Sequence, residues 1–261
     1  MYLNDEKDYG HVLHGSNNIL AIEYLKAMKK IKSKIIPMAI KREKVGYNAT
    51  RRIGEFASST AIRKYIIRKQ YEDVQKTMPA SSYGILREEM KNGNYVMDLS
   101  AYEKIILYNL RNMTVEEIAN LPDVEEGLEN LIKKSANISN SLLDLINNIK
   151  SKRYTQTRIQ RILVYALLRI TKQDMGIAQK NNPYVRILGF NEKGKGLLSE
   201  MSMINKKVNV VTSVKKFMDT NTNKNLKLMM EKDIFATNVY TLGYKKESYA
   251  NLDYTQNMII M

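Results

Sequence analysis

The class of architecture turns on Ser16-Asn-Asn-Ile-Leu-Ala-Ile-Glu-Tyr-Leu-Lys-Ala-Met-Lys-Lys-Ile-Lys-Ser-Lys-Ile-Ile-Pro-Met-Ala-Ile40. Ile19, Leu20, Ile22, Leu25, Met28 and Ile31 recur at helical spacing behind Ser16, Asn17 and Asn18. Ser and Asn side chains satisfy the free amides of a first turn, so the spacing predicts a capped helix ending near Lys32. Ile35-Ile-Pro-Met-Ala-Ile40 then forms an apolar run of strand length, with Pro37 favouring a sheet edge or a strand start. A helix followed at once by a strand belongs to an α/β unit. Lys41 to Ala57 shows no period and contains Gly46, Asn48 and Gly54, which reads as a loop. Ser58-Ser-Thr60 opens a second capped helix through Ala61, Ile62, Tyr65 and Ile66.

Beyond Tyr71 nearly every periodic segment is helical. The spacing predicts helices over Ser82 to Met90, Ser100 to Leu110, Thr114 to Leu121, Glu125 to Lys134, Ser141 to Ile149, Thr157 to Ile170 and Gly194 to Met203. Thr114-Val-Glu-Glu117 has the form of a capping box, in which hydroxyl and carboxylate satisfy each other's amides. Pro183-Tyr-Val-Arg-Ile-Leu-Gly-Phe190 reads as a short extended piece. The expected organisation is an α/β portion over residues 1–75 and a mainly α-helical domain over residues 76–261.

Composition narrows the function classes. The chain has 261 residues, with 44% hydrophobic and 26% charged, which fits a folded globular protein. It contains no Cys and two His, which removes disulfide frameworks, thiolate zinc sites and cysteine nucleophiles. No stretch approaches the roughly 20 apolar residues of a membrane span, and a cytoplasmic protein without a membrane partner is the expectation. Lys plus Arg number 42 against 27 Asp plus Glu, a formal charge of +15 that suits a polyanionic partner. The charge is unevenly spread. Lys26 to Lys44 holds eight basic residues against Glu43, and Ser151 to Lys172 holds six with no acid. Acids gather instead at Glu116, Glu117, Asp123, Glu125, Glu126 and Glu129.

Three segments are candidates for chemistry. His11-Val-Leu-His14 lacks the Glu of a zincin helix and has no further His or Cys to complete a metal site, so no metal is expected there. Arg158, Arg161, Tyr165 and Arg169 share one helical face, opposite an apolar stripe of Ile159, Ile162, Leu163, Ala166, Leu167 and Ile170. Guanidinium groups grip phosphate in a planar fork and tyrosine offers a stacking surface, so this face, with Lys152 and Arg153 ahead of it, is the candidate for RNA contact. Ser58, Thr60 and Arg63 place hydroxyls, free amides and a cation at a helix start, an arrangement that can hold phosphate. No catalytic residue is assigned.

Asn17-Asn-Ile-Leu-Ala-Ile-Glu-Tyr-Leu-Lys26, Lys41-Arg42 and Ser58-Ser-Thr-Ala-Ile-Arg63 resemble the second half of the nucleotide-binding domain of the tRNA(Met) cytidine acetate ligases, a family similar to HIGH-type nucleotidyltransferases. Val124-Glu-Glu-Gly-Leu-Glu129, Lys152-Arg-Tyr-Thr-Gln-Thr-Arg-Ile-Gln-Arg161, Lys172-Gln-Asp-Met175 and Pro183 to Phe190 resemble that family's helical domain in the same order. The resemblance implies the remnant of a Rossmann-like nucleotidyltransferase domain followed by a tRNA-binding domain. It also implies an activity: acetate and ATP form acetyl-adenylate, and the acetyl group passes to N4 of the wobble cytidine in elongator tRNA(Met). By the same resemblance Asn17 and Arg42 contact ATP, Glu43 lies at a neighbouring backbone contact, and Mg2+ accompanies the phosphates. Family members begin with a strand and a Gly-rich, His-containing phosphate loop, which His11-Val-Leu-His14 does not supply. The chain is therefore expected to match the C-terminal two thirds of such an enzyme and to make no acetyl-adenylate alone, the alternative being a non-catalytic tRNA-binding remnant.

Overall fold

The computed structural model describes residues 15–40, 57–125, 127–204 and 208–261. The chain divides into two compact units, residues 1–88 and 89–261. Arg42, Glu43, His11 and His14 lie outside the described residues.

In the first unit, helix α1 (Ser16–Lys30) begins one residue earlier than the polar run suggests. Its N-cap is Gly15, whose lack of a side chain leaves the cap without a side-chain hydrogen bond. It ends by passing the amides of Lys32 and Ser33 to the carbonyls of Lys29 and Met28, with Lys32 at φ 51°. That is the paired closure usually built on glycine. The expected strand over Ile35–Ile40 is not formed. A strand exists through its hydrogen-bonded ladder. No described residue supplies one here, and Ile36, Met38 and Ile40 stand exposed. Helix α2 (Ser59–Ile67) starts as expected, with the Ser58 hydroxyl accepting the amide of Ala61 at 3.0 Å. Ala61, Tyr65 and Ile66 are buried, as is Val74 of the short α3 (Tyr71–Lys76) that packs against α2. Helix α4 (Ala80–Asn92) crosses the division between the units, and within the second unit its end closes over Gly93 at φ 74°, where a Cβ would come within 2.9 Å of the Lys246 amide.

The second unit is the helical body. A 3-10 turn (Leu99–Tyr102) leads into α5 (Glu103–Asn112), α6 (Val115–Ala119), α7 (Leu128–Ile138), α8 (Leu142–Ile149) and α9 (Gln156–Leu168). The Thr114–Glu117 capping box is present in both directions, at 3.2 and 2.8 Å. Ile106, Leu110, Ile132, Leu145, Ile159 and Leu163 form the interior, each fully burying a side chain that contributes about 1.5–3 kcal/mol by leaving water. Cations close the helix ends. Arg111 donates to the carbonyls of Ala136 and Ser139 at the end of α7, while Lys133 donates to those of Arg111 and Met113 at the end of α5. Each positive charge sits at the negative end of a helix.

Helix α10 (Lys172–Lys180) follows, capped reciprocally by Thr171 and Asp174. The extended piece after Pro183 resolves into β1 (Tyr184–Arg186) and β2 (Gly189–Phe190). Then come α11 (Glu192–Ile204), β3 (Asn209–Val211), α12 (Val214–Thr220), α13 (Lys224–Thr241), α14 (Leu252–Thr255) and β4 (Ile259–Ile260). Strand β1 pairs in parallel with β3, Tyr184 opposite Asn209, and β2 in parallel with β4, Gly189 opposite Ile259. A second apolar cluster of Val211, Val214, Phe217, Leu226, Met230 and Ile234 lies beneath the first pair.

Candidate nucleic-acid interface

Helix α9 is amphipathic as the spacing requires: Ile159, Ile162, Leu163, Ala166 and Leu167 are buried. The basic face is not a free row of forks. Arg158 donates from Nε and Nη2 to the Asp123 carbonyl at 3.1 and 2.7 Å, and its Nη2 lies 3.1 Å from Glu125 Oε1. Its guanidinium also stands 5.5 Å from the Tyr154 ring centroid, as that of Arg153 does at 5.4 Å. Arg161 donates from Nε to Asp123 Oδ2 at 2.5 Å yet remains 54% exposed. That carboxylate pushes the Arg161 pKa further up, and the fork stays charged. Tyr165 is half-buried against the core, which limits the ring surface it can offer a base. Arg169 is exposed, at φ 52°, where the chain leaves α9.

Two of the acids that the sequence sets apart from the basic helix, Asp123 and Glu125, are therefore its neighbours in space. Lys172 joins the same arrangement, donating from Nζ to the carbonyls of Ala119 and Val124 at 2.7 and 2.9 Å. Arg158, Arg161 and Lys172 thus fasten one loop, residues 120–125, with Asp123 at φ 63°. Asp123, Glu125 and Tyr154 are members of this cluster that sequence reasoning misses. Asp123 and Glu125 read as part of a remote acidic patch, and Tyr154 enters only as one residue of the Lys152 to Arg161 segment. A few residues beyond α9, burial raises the Asp174 pKa, but hydrogen bonds from Thr171 and Lys232 lower it further, leaving a carboxylate.

Lys152 and Arg153 are exposed beside this cluster. In the first unit Asn17 is exposed on the first turn of α1, Arg63 is exposed on α2 and Thr60 is half-buried. The Ser58 hydroxyl is buried and already holds the amide of Ala61. Among the described residues no group of three or more His, Cys, Asp and Glu could hold a metal ion. None of the described helices is long and apolar enough to cross a membrane.

Residues 1–255 match the family model of the HIGH nucleotidyl transferases, and the chain belongs to that family. Within it, a tRNA(Met) cytidine acetate ligase of Thermoanaerobacter pseudethanolicus is 42% identical over 250 residues, covering 95% of this chain and 60% of the relative. The ligase of Acetivibrio thermocellus is 40% identical over 260 residues, covering 96% and 62%. The crystal structure of apo Thermotoga maritima TmcAL superposes with a TM-score of 0.87 at 30% identity, over 95% of this chain and 61% of that one. The same protein bound to alpha-thio ATP gives a TM-score of 0.85. The fold is thus nucleotidyltransferase-like, and the chain spans about 60% of the length of the curated relatives it matches.

Proposed function

We propose that this chain carries out, within a complete ligase, the ATP-dependent acetylation of the wobble cytidine of elongator tRNA(Met). An acetate oxygen attacks the α-phosphorus of ATP, pyrophosphate leaves, and the N4 amino group of cytidine then attacks the acetyl carbon of acetyl-adenylate. AMP departs, a proton is lost, and N4-acetylcytidine remains. The observation that carries this reading is the continuous likeness, over 95% of the chain, to proteins named for that reaction.

The labour divides between residues 1–75, which take part in ATP binding, and residues 76–261, which hold the tRNA. Asn17 reads a base or ribose edge, Arg42 holds phosphate beside Glu43, and Thr60 and Arg63, with the Ser58-capped helix start behind them, grip a second phosphate. Mg2+ travels with the ATP phosphates, the usual mode for that ion, and needs no protein cage. On the helical side Lys152, Arg153, Arg161 and Arg169 meet RNA phosphates. Arg158 positions the loop beneath them and Tyr165 supports the helix from the core side. The reaction places the protein in the cytoplasm, where its tRNA is found.

The test is acetate-dependent exchange of labelled pyrophosphate into ATP, followed by mass spectrometry of digested tRNA(Met). The 261-residue chain is compared with the same chain joined to the portion of the Thermoanaerobacter relative that it does not match. Exchange and N4-acetylcytidine are expected from the joined protein. A folded joined protein that forms neither product would refute the ligase reading, and if it still bound tRNA, a non-catalytic RNA-binding role would replace it.

A further inference from the structure

A cavity of about 770 Å³ opens in the second unit at the carboxyl ends of β1 and β3, with the segment leading into β4 as its far wall. Crevices at the carboxyl ends of parallel strands are where α/β folds take ligands, because the strands end there and the connecting loops diverge. The walls are apolar and the rim is polar. Thr212, Gln256 and Asn257 line it, and their side chains make no hydrogen bond to another described residue. Tyr254 adds a ring that is 39% exposed.

Beneath them Arg186, the last residue of β1, pairs with Asp253, whose side chain is only 8% exposed. The other Asp253 oxygen, Oδ2, is buried without any hydrogen-bond partner. A buried acceptor left short of a donor costs about 1–3 kcal/mol, and this carboxylate lines the cavity. A flat ring with apolar faces, amides to read its edge, a tyrosine to stack on and an acid to accept an amino group fits a nucleobase. The guanidinium beside the acid suits the phosphate that a nucleotide brings.

Resting on the reading that RNA is this protein's partner, we propose that the cavity binds one unstacked nucleotide of RNA and prefers a base bearing an amino group. Cytosine presents its amino group to the carboxylate. Uracil presents an N–H flanked by two carbonyl oxygens, which a carboxylate repels. Base stacking on aromatic rings tolerates any sequence, so discrimination falls to Asp253 and the rim amides.

The experiment is fluorescence-anisotropy binding of labelled C5, A5 and U5 RNA pentamers to the full chain, with CMP alone as the free-nucleotide arm. The pentamers C5 and A5 should bind about tenfold tighter than U5, the scale of one satisfied buried acceptor. Asp253→Asn should remove that preference, and Asn257→Ala, a rim variant that leaves the Arg186 pair in place, should reduce it. Arg161→Gln should weaken all three pentamers while keeping it. Equal affinities, or a preference surviving both pocket variants, would overturn the proposal. Tight CMP binding without any pentamer preference would overturn it in favour of a free-nucleotide site. If no pentamer binds while tRNA does, the pocket alone is refuted; if tRNA binding is also absent, the RNA reading falls with it.

Discussion

Replacing Arg158 by Ala separates a structural arginine from an RNA-binding one. The side chain is 22% exposed and places two donors on the Asp123 carbonyl. Charged hydrogen bonds of this kind contribute roughly 1.5–3 kcal/mol, and a stacked Tyr154 adds about 0.5–1. Glu125 is 63% exposed, so its ion pair adds little. The destabilisation should be about 2–4 kcal/mol. In urea, with a slope of about 2 kcal/mol/M, the midpoint followed by circular dichroism should fall by roughly 1–2 M. Arg161→Ala should shift it far less, because that pair is half in solvent and worth about 0–1 kcal/mol. If the two variants unfold at the same urea concentration, or if Arg161→Ala is the more damaging, Arg158 is not the structural arginine of the pair.

Arg169→Gly should stabilise the fold by about 0.5–1 kcal/mol, read as a higher thermal midpoint, because glycine adopts the left-handed backbone at φ 52° without strain. The same change should weaken RNA binding, so stability and affinity move in opposite directions. Burial, with smaller contributions from Tyr240 and Tyr244, pushes the Tyr102 phenol up to about 12. A phenol that ionises more easily in the unfolded chain stabilises the fold below pH 10, and this contribution disappears as pH rises from 10 towards 12. Tyr102→Phe should cost about 1 kcal/mol at neutral pH, since the bond to the Tyr240 carbonyl at 2.7 Å goes, and should remove that alkaline dependence in a pH series of urea titrations.

The helices α5 to α9 of the second unit could be read from their sequence because their apolar residues keep regular spacing, and two of their starts carry explicit caps. Thr114 with Glu117 and Ser141 before Leu142 mark starts that the structure keeps. Helix α13 could not be read so. Its buried Leu226, Met230, Ile234 and Val239 are separated by Lys, Glu, Asp and Asn, and no sharp stripe emerges. Strands β3 and β4 are three and two residues long, below the length at which alternation carries information. The run Ile35–Ile40 has strand composition, but a ladder is made by a partner and composition cannot supply one. At the basic face, spacing correctly put Arg158 and Arg161 on one side of a helix. What spacing cannot show is the carbonyl and carboxylate of Asp123, 35 and 38 residues away, already seated against them.

The proposed tRNA contact of the helical unit runs through the exposed cations of α9 and the residues just ahead of it. Its most direct test is the equilibrium affinity of the 261-residue chain for elongator tRNA(Met), measured across a salt series for the parent and for Arg161→Gln, Arg169→Gln combined. Every phosphate that no longer meets a cation should take about 0.7–0.9 from the slope of log affinity against log salt. The double variant should therefore bind more weakly, with a slope shallower by about 1.4–1.8, and keep the parent's circular dichroism spectrum. An unchanged affinity and slope in a folded double variant would rule that contact out.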